Sequence, residues 1–217
     1  VTIRVLVADD QGIVRAGLST ILNGHPGIEV VGQAADGRTA VALARRLRPD
    51  VCLFDIRMPV LDGIEATRLL AGPDVPHPIA VVVITTFDTD EYIYGALKAG
   101  ARGFLLKGAD PDQLVQALHA AVQGDALIDP AVTGRLLATF ATSGPSATPP
   151  QPLQPLTDRE EDVLTEVARG RTNAEIARDL HISMSTVKFH LTGLMTKLGA
   201  RNRVELALWA YQTNRLT

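Results

Sequence analysis

Five side chains carry the chemistry this sequence can do: Asp9, Asp10, Asp55, Thr85 and Lys107. Each closes a short apolar run, with Ile3–Ala8 stopping at Asp9-Asp10, Val51–Phe54 at Asp55, Ile79–Ile84 at Thr85 and Gly103–Leu106 at Lys107. Such runs read as buried parallel strands that deliver side chains to their C-terminal ends, where open α/β sheets bind ligands. A single carboxylate there is ordinarily a turn residue. Three at one edge are another matter, because two unit charges 4 Å apart cost about 4 kcal/mol at an effective dielectric of 20. A hard cation relieves that repulsion, and Mg²⁺ suits the cluster because it takes oxygen ligands and shares its shell with phosphoryl groups. Lys107 supplies a cation for one phosphate oxygen and Thr85 a hydroxyl donor for another. Asp55 is then a carboxylate nucleophile able to accept a phosphoryl group as an aspartyl phosphate.

The elements that must position these groups alternate along the chain. Apolar residues at helical spacing (Val14, Leu18, Ile21, Leu22) follow the first run, and Ile28–Ala34 forms a second strand. A helix with Ala40, Ala44 and Leu47 on its apolar side follows Asp36-Gly37. Further helices are expected over about Asp62–Leu70, Asp90–Ala99 and Asp110–Val122, the last opened by an Asp-Pro-Asp-Gln capping sequence. Parallel strands need crossovers, so the fold class is α/β with a five-stranded doubly wound parallel sheet.

One more helix is expected from Asp129-Pro130 to about Phe140. Ala141–Pro155 then holds five prolines among Ser, Thr and Gly, a composition that builds no core. Beyond it the pattern is purely helical. Thr157–Glu160, Thr172–Glu175 and Asn202–Glu205 each place a cap residue three positions before a Glu, and a helix from about Ser183 to Leu198 ends at Gly199. Four helices in such a short span form a small all-α domain, and Thr172–Leu198 has helix-turn-helix proportions. The expected domains are 1–124, a helix plus proline-rich linker over 125–155, and 156–217.

Charge is divided between these parts. Residues 1–140 carry 12 Lys and Arg against 16 Asp and Glu, whereas residues 156–217 carry 9 against 8. The second part is too weakly basic for charge alone to imply nucleic acid, so its pattern must do so. No apolar run approaches the roughly 20 residues of a membrane helix. Residues Val1–Asp10 show no signal-peptide pattern, which places the expected protein in the cytoplasm with no membrane partner. The single cysteine, Cys52, lies mid-strand and reads as a core residue.

Asp9-Asp10, Asp55 with Met58-Pro59 and Asp62-Gly63, Ile84-Thr85, Ala99-Gly100-Ala101 and Leu106-Lys107 resemble the receiver domain of two-component response regulators, a flavodoxin-like fold. The resemblance covers residues 1 to about 124. It implies Asp55 as phosphoacceptor, Asp10 as a direct Mg²⁺ ligand, Asp9 as a ligand through water, and the Arg57 backbone carbonyl in the same shell. Thr85 would be the switch hydroxyl, Lys107 the phosphate-binding lysine and Phe104 the switch aromatic, where receivers often carry Tyr. It also implies that the Arg57 and Phe87 side chains govern phosphate lifetime, and that a sensor histidine kinase is the phosphodonor.

Leu156–Glu160, Asn173–Ala177 and Ser185–His190 resemble the LuxR/NarL-type helix-turn-helix. That class implies double-stranded promoter DNA, a homodimer when phosphorylated, and RNA polymerase as a further partner. At about 100° per residue, Val187, Leu191, Leu194 and Leu198 form one stripe facing the bundle. Ser185, Thr186, Lys188, Phe189, His190 and Thr192 are the candidate DNA contacts, with Lys188 and Thr192 expected to reach base edges. Phe189 either meets thymine methyl groups or packs against the receiver in an inactive form. Lys197, Arg201 and Arg203 are expected on the flank, touching phosphate or solvent. In the last helix Val204, Ala207, Leu208 and Tyr211 suit the bundle, which turns Leu206 and Trp209 partly outward as candidate dimer contacts, with ordinary burial of Trp209 inside the domain as the alternative.

Two other functions fit parts of the pattern. A phosphohydrolase with an aspartate nucleophile needs a second acid two residues on, where this sequence has Arg57. A DNA-binding regulator with a vestigial receiver would act without phosphorylation of Asp55.

Overall fold

In the computed structural model the chain divides into two compact units, Val1–Leu136 and Leu137–Thr217. The structure describes residues 2–86, 89–128, 152–200, 202–213 and 215.

In the first unit β1 (Ile3–Ala8), β2 (Ile28–Ala34), β3 (Val51–Phe54), β4 (Ala80–Thr85) and β5 (Gly103–Leu106) pair in parallel. They alternate with α1 (Gly12–Asn23), α2 (Gly37–Leu47), α3 (Gly63–Ala71), α4 (Asp90–Lys98) and α5 (Pro111–Gln123). β3 and β4 are buried along their whole length because helices cover both faces. Val5, Val7, Val51, Leu53, Val82 and Leu105 pack with Leu22, Leu114 and Leu118 on one face. Their strand neighbours Leu6, Cys52, Phe54, Val83 and Phe104, pointing to the opposite face, are fully buried as well. Cys52 is a core residue, and burial pushes its thiol far above the ordinary range.

The sheet order is β2-β1-β3-β4-β5-β6, one strand more than the sequence suggested. β6 (Leu127–Ile128) pairs with β5, setting Gly103 opposite Leu127 and Phe104 opposite Ile128. The sheet therefore continues past residue 124, into what the sequence assigned to the linker region. Two residues are too short to show a period. The helix expected over Asp129–Phe140 lies outside the described residues.

The order reverses at β1, so the crevice of the fold opens between the C-terminal ends of β1 and β3. Backbone bonds carry both ends past the strands: Asp9 N donates to Ala34 O at 3.1 Å, and Asp55 N to Ala8 O at 2.8 Å.

In the second unit α6 (Asp158–Ala168), α7 (Asn173–Asp179), α8 (Met184–Leu198) and α9 (Arg203–Gln212) surround one apolar core. The Thr157/Glu160 and Thr172/Glu175 capping boxes both form. Asn202 Oδ1 accepts from Glu205 N at 3.0 Å. The turn between α7 and α8 runs through His181 at φ 54°, a left-handed conformation that His tolerates better than a β-branched residue. Val187, Leu191, Leu194 and Leu198 are buried, as their spacing requires.

Three expectations about this unit are corrected. Leu206 and Trp209 do not turn outward: they are 0% and 5% exposed and, with Ala210, they are the α9 side chains buried in the core among the described residues. The outward-facing premise for a dimer contact there is gone. Val204 is only half-buried, Ala207 packs at the core margin, and the side chains of Leu208 and Tyr211 lie outside the described ones. An α9 this apolar carries two stripes of helical period, and the sequence does not say which one the neighbouring helices cover. The Arg215 guanidinium lies 4.5 Å above the Trp209 ring, and its Nε is 2.9 Å from Glu161 Oε2, closing the core from outside.

Lys197 does not stand free on the flank. It pairs with Glu160 Oε2 at 2.7 Å and reaches Pro155 O at 3.3 Å, while Leu153 N donates to Lys197 O at 2.8 Å. The end of the proline-rich segment is therefore anchored on the last turn of α8. Burial raises the Glu160 carboxyl, but Lys197 and Thr157 outweigh it and hold the group below its ordinary value. Its stabilising contribution is present at neutral pH and is lost as pH falls below the ordinary carboxylate range. Arg203 is buried too, donating to Asn173 Oδ1 at 2.7 Å and to the Arg171 carbonyl.

The Leu206→Ala protein is expected to lose about 2–4 kcal/mol of stability in its C-terminal unit. That loss should be independent of protein concentration in urea titrations. A residue serving only a dimer contact would give a concentration-dependent loss instead.

Candidate functional site

Asp9, Asp55, Thr85 and Lys107 converge at the C-terminal edge of the sheet because each directly follows, or ends, one of four adjacent strands. Asp9 and Thr85 are fully buried and Asp55 is 3% exposed, while Asp10 faces solvent. Lys107 N donates to Thr85 O at 2.9 Å, which fixes where the lysine leaves β5. Its Nζ then sits 2.6 Å from Asp9 Oδ2 and 2.9 Å from Asp55 Oδ2. The remaining oxygens are held by backbone: Gln11 N donates to Asp9 Oδ1 at 2.9 Å, and Ile56 N to Asp55 Oδ1 at 2.7 Å. Burial pulls the Lys107 ammonium down, but Asp9 and Asp55 together hold its pKa above the ordinary value.

Asp9 Oδ2 has charge compensation without a well-aimed hydrogen bond. Lys107 lies close enough for an ion pair, and no further partner of this fully buried oxygen is found among the described residues. One carboxylate oxygen each from Asp9, Asp10 and Asp55 lies within 4.8 Å of the others. An all-oxygen donor set with one under-satisfied buried oxygen and one exposed member fits a hard divalent cation that keeps part of its water.

The loop after Asp55 carries strain. Leu61 N donates to Pro59 O at 2.7 Å across Val60, whose φ is 68°, the three-residue turn that β-branched residues adopt least readily. Gly63 N then donates to Ile56 O at 2.8 Å, and a Cβ at Gly63 would strike the Asp55 carbonyl oxygen. The Val60 side chain is 71% exposed, so glycine there forfeits little packing. Val60→Gly is expected to raise the receiver's stability by about 1 kcal/mol, relief of left-handed strain exceeding the entropy glycine adds to the unfolded chain. Thermal denaturation should show a rise of a few degrees, and a fall would mean that the turn is unstrained.

Beside Asp10 this loop borders a cleft of about 450 Å³, lined by Asp10, Ile56, Arg57, Met58, Pro59, Asp62 and Tyr92. Tyr92, from α4, was not singled out by sequence reasoning, because an aromatic in a first helical turn carries no signal of what it faces. Phe104 is fully buried. Phe87 lies outside the described residues.

On α8, Ser185, Lys188, Phe189 and Thr192 are exposed, and Thr186 and His190 are half-buried. Ser183 caps the helix by accepting from Thr186 N at 3.1 Å, and its hydroxyl also bonds those of Ser185 at 2.7 Å and Thr186 at 2.8 Å. Phe189 is 75% exposed, with its ring set edge-on to His190 at 5.7 Å between centroids.

Comparison with known proteins finds a family in each part of the chain. Residues 5–119 match the response regulator receiver domain, and residues 154–210 match the bacterial regulatory proteins of the luxR family. The transcriptional regulatory protein LiaR of Bacillus subtilis (strain 168) is 38% identical over 212 residues, covering 98% of both chains. Among solved structures, the response regulator ChrA of a heme-sensing two-component system is 36% identical, with a TM-score of 0.54 over 99% of this chain and 98% of its own. The response regulator RcsB in complex with DNA is 26% identical, with a TM-score of 0.57 over 98% and 99%. Among the described residues no helix is long and apolar enough to cross a membrane. A receiver whose acidic crevice is bridged by a lysine, followed on one chain by a LuxR-type helix-turn-helix, places this protein in the LuxR/NarL family of DNA-binding two-component response regulators, which regulate transcription.

Proposed function

We propose that Asp55 is the phosphoacceptor and that its phosphorylation by a sensor histidine kinase controls dimerisation and promoter binding. The observation that carries this reading is the Lys107 ammonium shared between the buried carboxylates of Asp9 and Asp55. An Asp55 carboxylate oxygen attacks phosphorus in the donor's phosphohistidine. The phosphorus–nitrogen bond breaks, and its electron pair returns to the imidazole. Asp9, Asp10, Asp55 and the Arg57 carbonyl would hold Mg²⁺, which supplies positive charge to the oxygens of the transferring group.

The chain's own residues do the rest. Lys107 trades part of its pairing with Asp55 for a phosphoryl oxygen, and the Thr85 hydroxyl donates to another. With Thr85 and Phe104 as the switch residues, the phosphorylated state favours one of two conformations of this face. The receiver then serves as a switch with no separate turnover activity. The receiver spans about 1–124 and the DNA-binding domain 156–217, where Ser185, Thr186, Lys188, Phe189, His190 and Thr192 form the face offered to promoter DNA. RNA polymerase is a further partner at the promoter.

Beryllofluoride with Mg²⁺, which mimics an aspartyl phosphate, tests the reading. Dimer content by analytical ultracentrifugation and promoter affinity should both rise for the wild type and stay fixed for Asp55→Ala. Unchanged values in the wild type, with the mimic seen bound at Asp55, would overturn it in favour of phosphorylation-independent DNA binding.

A further inference from the structure

In the second unit the described large apolar side chains left exposed are Leu153 and Phe189, at 79% and 75%. Leu153 belongs to the segment anchored on Lys197. Phe189 has no such explanation. At about 100° per residue it lies roughly 170° from the middle of the buried Val187–Leu198 stripe, on the outermost line of α8. An aromatic ring there gains nothing for folding, and the edge contact with His190 limits its rotation.

Its neighbours are less polar than their names suggest. Thr192 Oγ1 donates to Lys188 O at 3.0 Å, and Thr196 Oγ1 to Thr192 O at 3.0 Å. The Ser185 hydroxyl is bonded to Ser183 at 2.7 Å. With its proton committed to its own helix, Thr192 offers the outside a methyl group and oxygen lone pairs. It is therefore not the free donor to base edges that the sequence suggested. Lys188 is left as the exposed cation beside an apolar patch.

We infer that Phe189 and the Thr192 methyl form one apolar reader of 5-methyl groups in the major groove, so that the operator is selected at these positions by thymine methyls rather than by hydrogen bonds. The inference rests on α8 being the groove-entering helix. The thymine methyl is the one apolar group on a base edge in that groove, and Phe and Thr methyl groups are side chains that pack on it. Lys188, one residue away, donates to guanine or to phosphate and holds the register.

The test uses the full-length protein with beryllofluoride and Mg²⁺, on duplexes it selects from a randomised library. Each thymine is replaced in turn by deoxyuridine, which removes the methyl and keeps every hydrogen-bonding group. Wild-type affinity should fall about fourfold at one or two positions per site, the equivalent of one buried methylene. Restoring bulk with 5-bromouracil should recover it. Phe189→Ala should bind thymine and uracil duplexes alike, and Thr192→Ser should lose part of the difference. A uracil series that is flat for the wild type, or equally steep for Phe189→Ala, overturns the inference. If Lys188→Ala still weakens binding in that case, α8 remains the groove helix and only the methyl reader fails. If Lys188→Ala and Phe189→Ala both leave affinity unchanged, the groove assignment itself falls.

Discussion

Asp55→Asn is expected to abolish phosphorylation and, in metal-free buffer, to make the receiver more stable by about 1–2 kcal/mol. Loss of labelling follows from removing the proposed nucleophile. The gain in stability follows from what the carboxylate does at rest. Asp55 shares a crevice with Asp9 and Asp10, ligand oxygens within 4.8 Å of one another, and one ammonium at 2.9 Å compensates it. At an effective dielectric of 20 the two repulsions cost about 7 kcal/mol together, and the Lys107 pair returns about 6. Desolvating a charge that is 3% exposed adds a further cost, so the balance falls against the carboxylate. The amide keeps the size of the side chain and can still accept the hydrogen bond from Ile56 N. Urea titration in EDTA should show the midpoint moving up. Millimolar Mg²⁺ should stabilise the wild type more than the variant, since one ligand charge has gone. A variant less stable than the wild type without metal would mean that the acidic crevice is not strained by its own charge.

The strand ends were legible in the sequence because a buried parallel strand leaves a contiguous apolar run, and the residue that stops it is the one placed at the sheet edge. The caps of α5, α6 and α7 were legible for a similar reason: their partners lie three residues apart and need no tertiary information. What failed to show was decided at a distance. Lys197 and Arg203 read as surface charges, but their partners Glu160 and Asn173 lie on other helices. Leu206 was misplaced and Trp209 left between two readings because an apolar α9 has two plausible faces, and only packing against α6 and α8 selects one. β6 was invisible, its pairing supplied by β5 rather than by any pattern of its own. In the site itself residue identity was legible. The sharing of Lys107, the orphaned Asp9 oxygen and the strained turn at Val60 are matters of geometry.

The opposite change at the same site should have the opposite sign and a larger size. Lys107→Met is expected to destabilise the receiver by about 3 kcal/mol, because it strips the cation from two buried carboxylates and leaves them facing each other. The Lys107 side chain is 9% exposed and those of Asp9 and Asp55 are 0% and 5%, so water does little to compensate. Asp9 Oδ2 would then have no compensating group among the described residues. The fold should then become dependent on divalent cation. Millimolar Mg²⁺ should recover much of the lost stability, raising the urea midpoint of Lys107→Met by more than that of the wild type. Recovery of the fold should not bring recovery of function, because a cation seated among the carboxylates does not replace the donor proposed to follow the phosphoryl oxygen. Phosphotransfer to Asp55 should remain about 10²-fold slow, in line with the loss of one charged stabiliser of the transferring group. Lys107→Arg separates charge from shape. It restores the positive charge and most of the metal-free stability, but a planar guanidinium cannot occupy the point between Asp9 Oδ2 and Asp55 Oδ2 that the ammonium fills. If Lys107→Met were as stable as the wild type in EDTA, the bridging ammonium would not be what holds the acidic edge together.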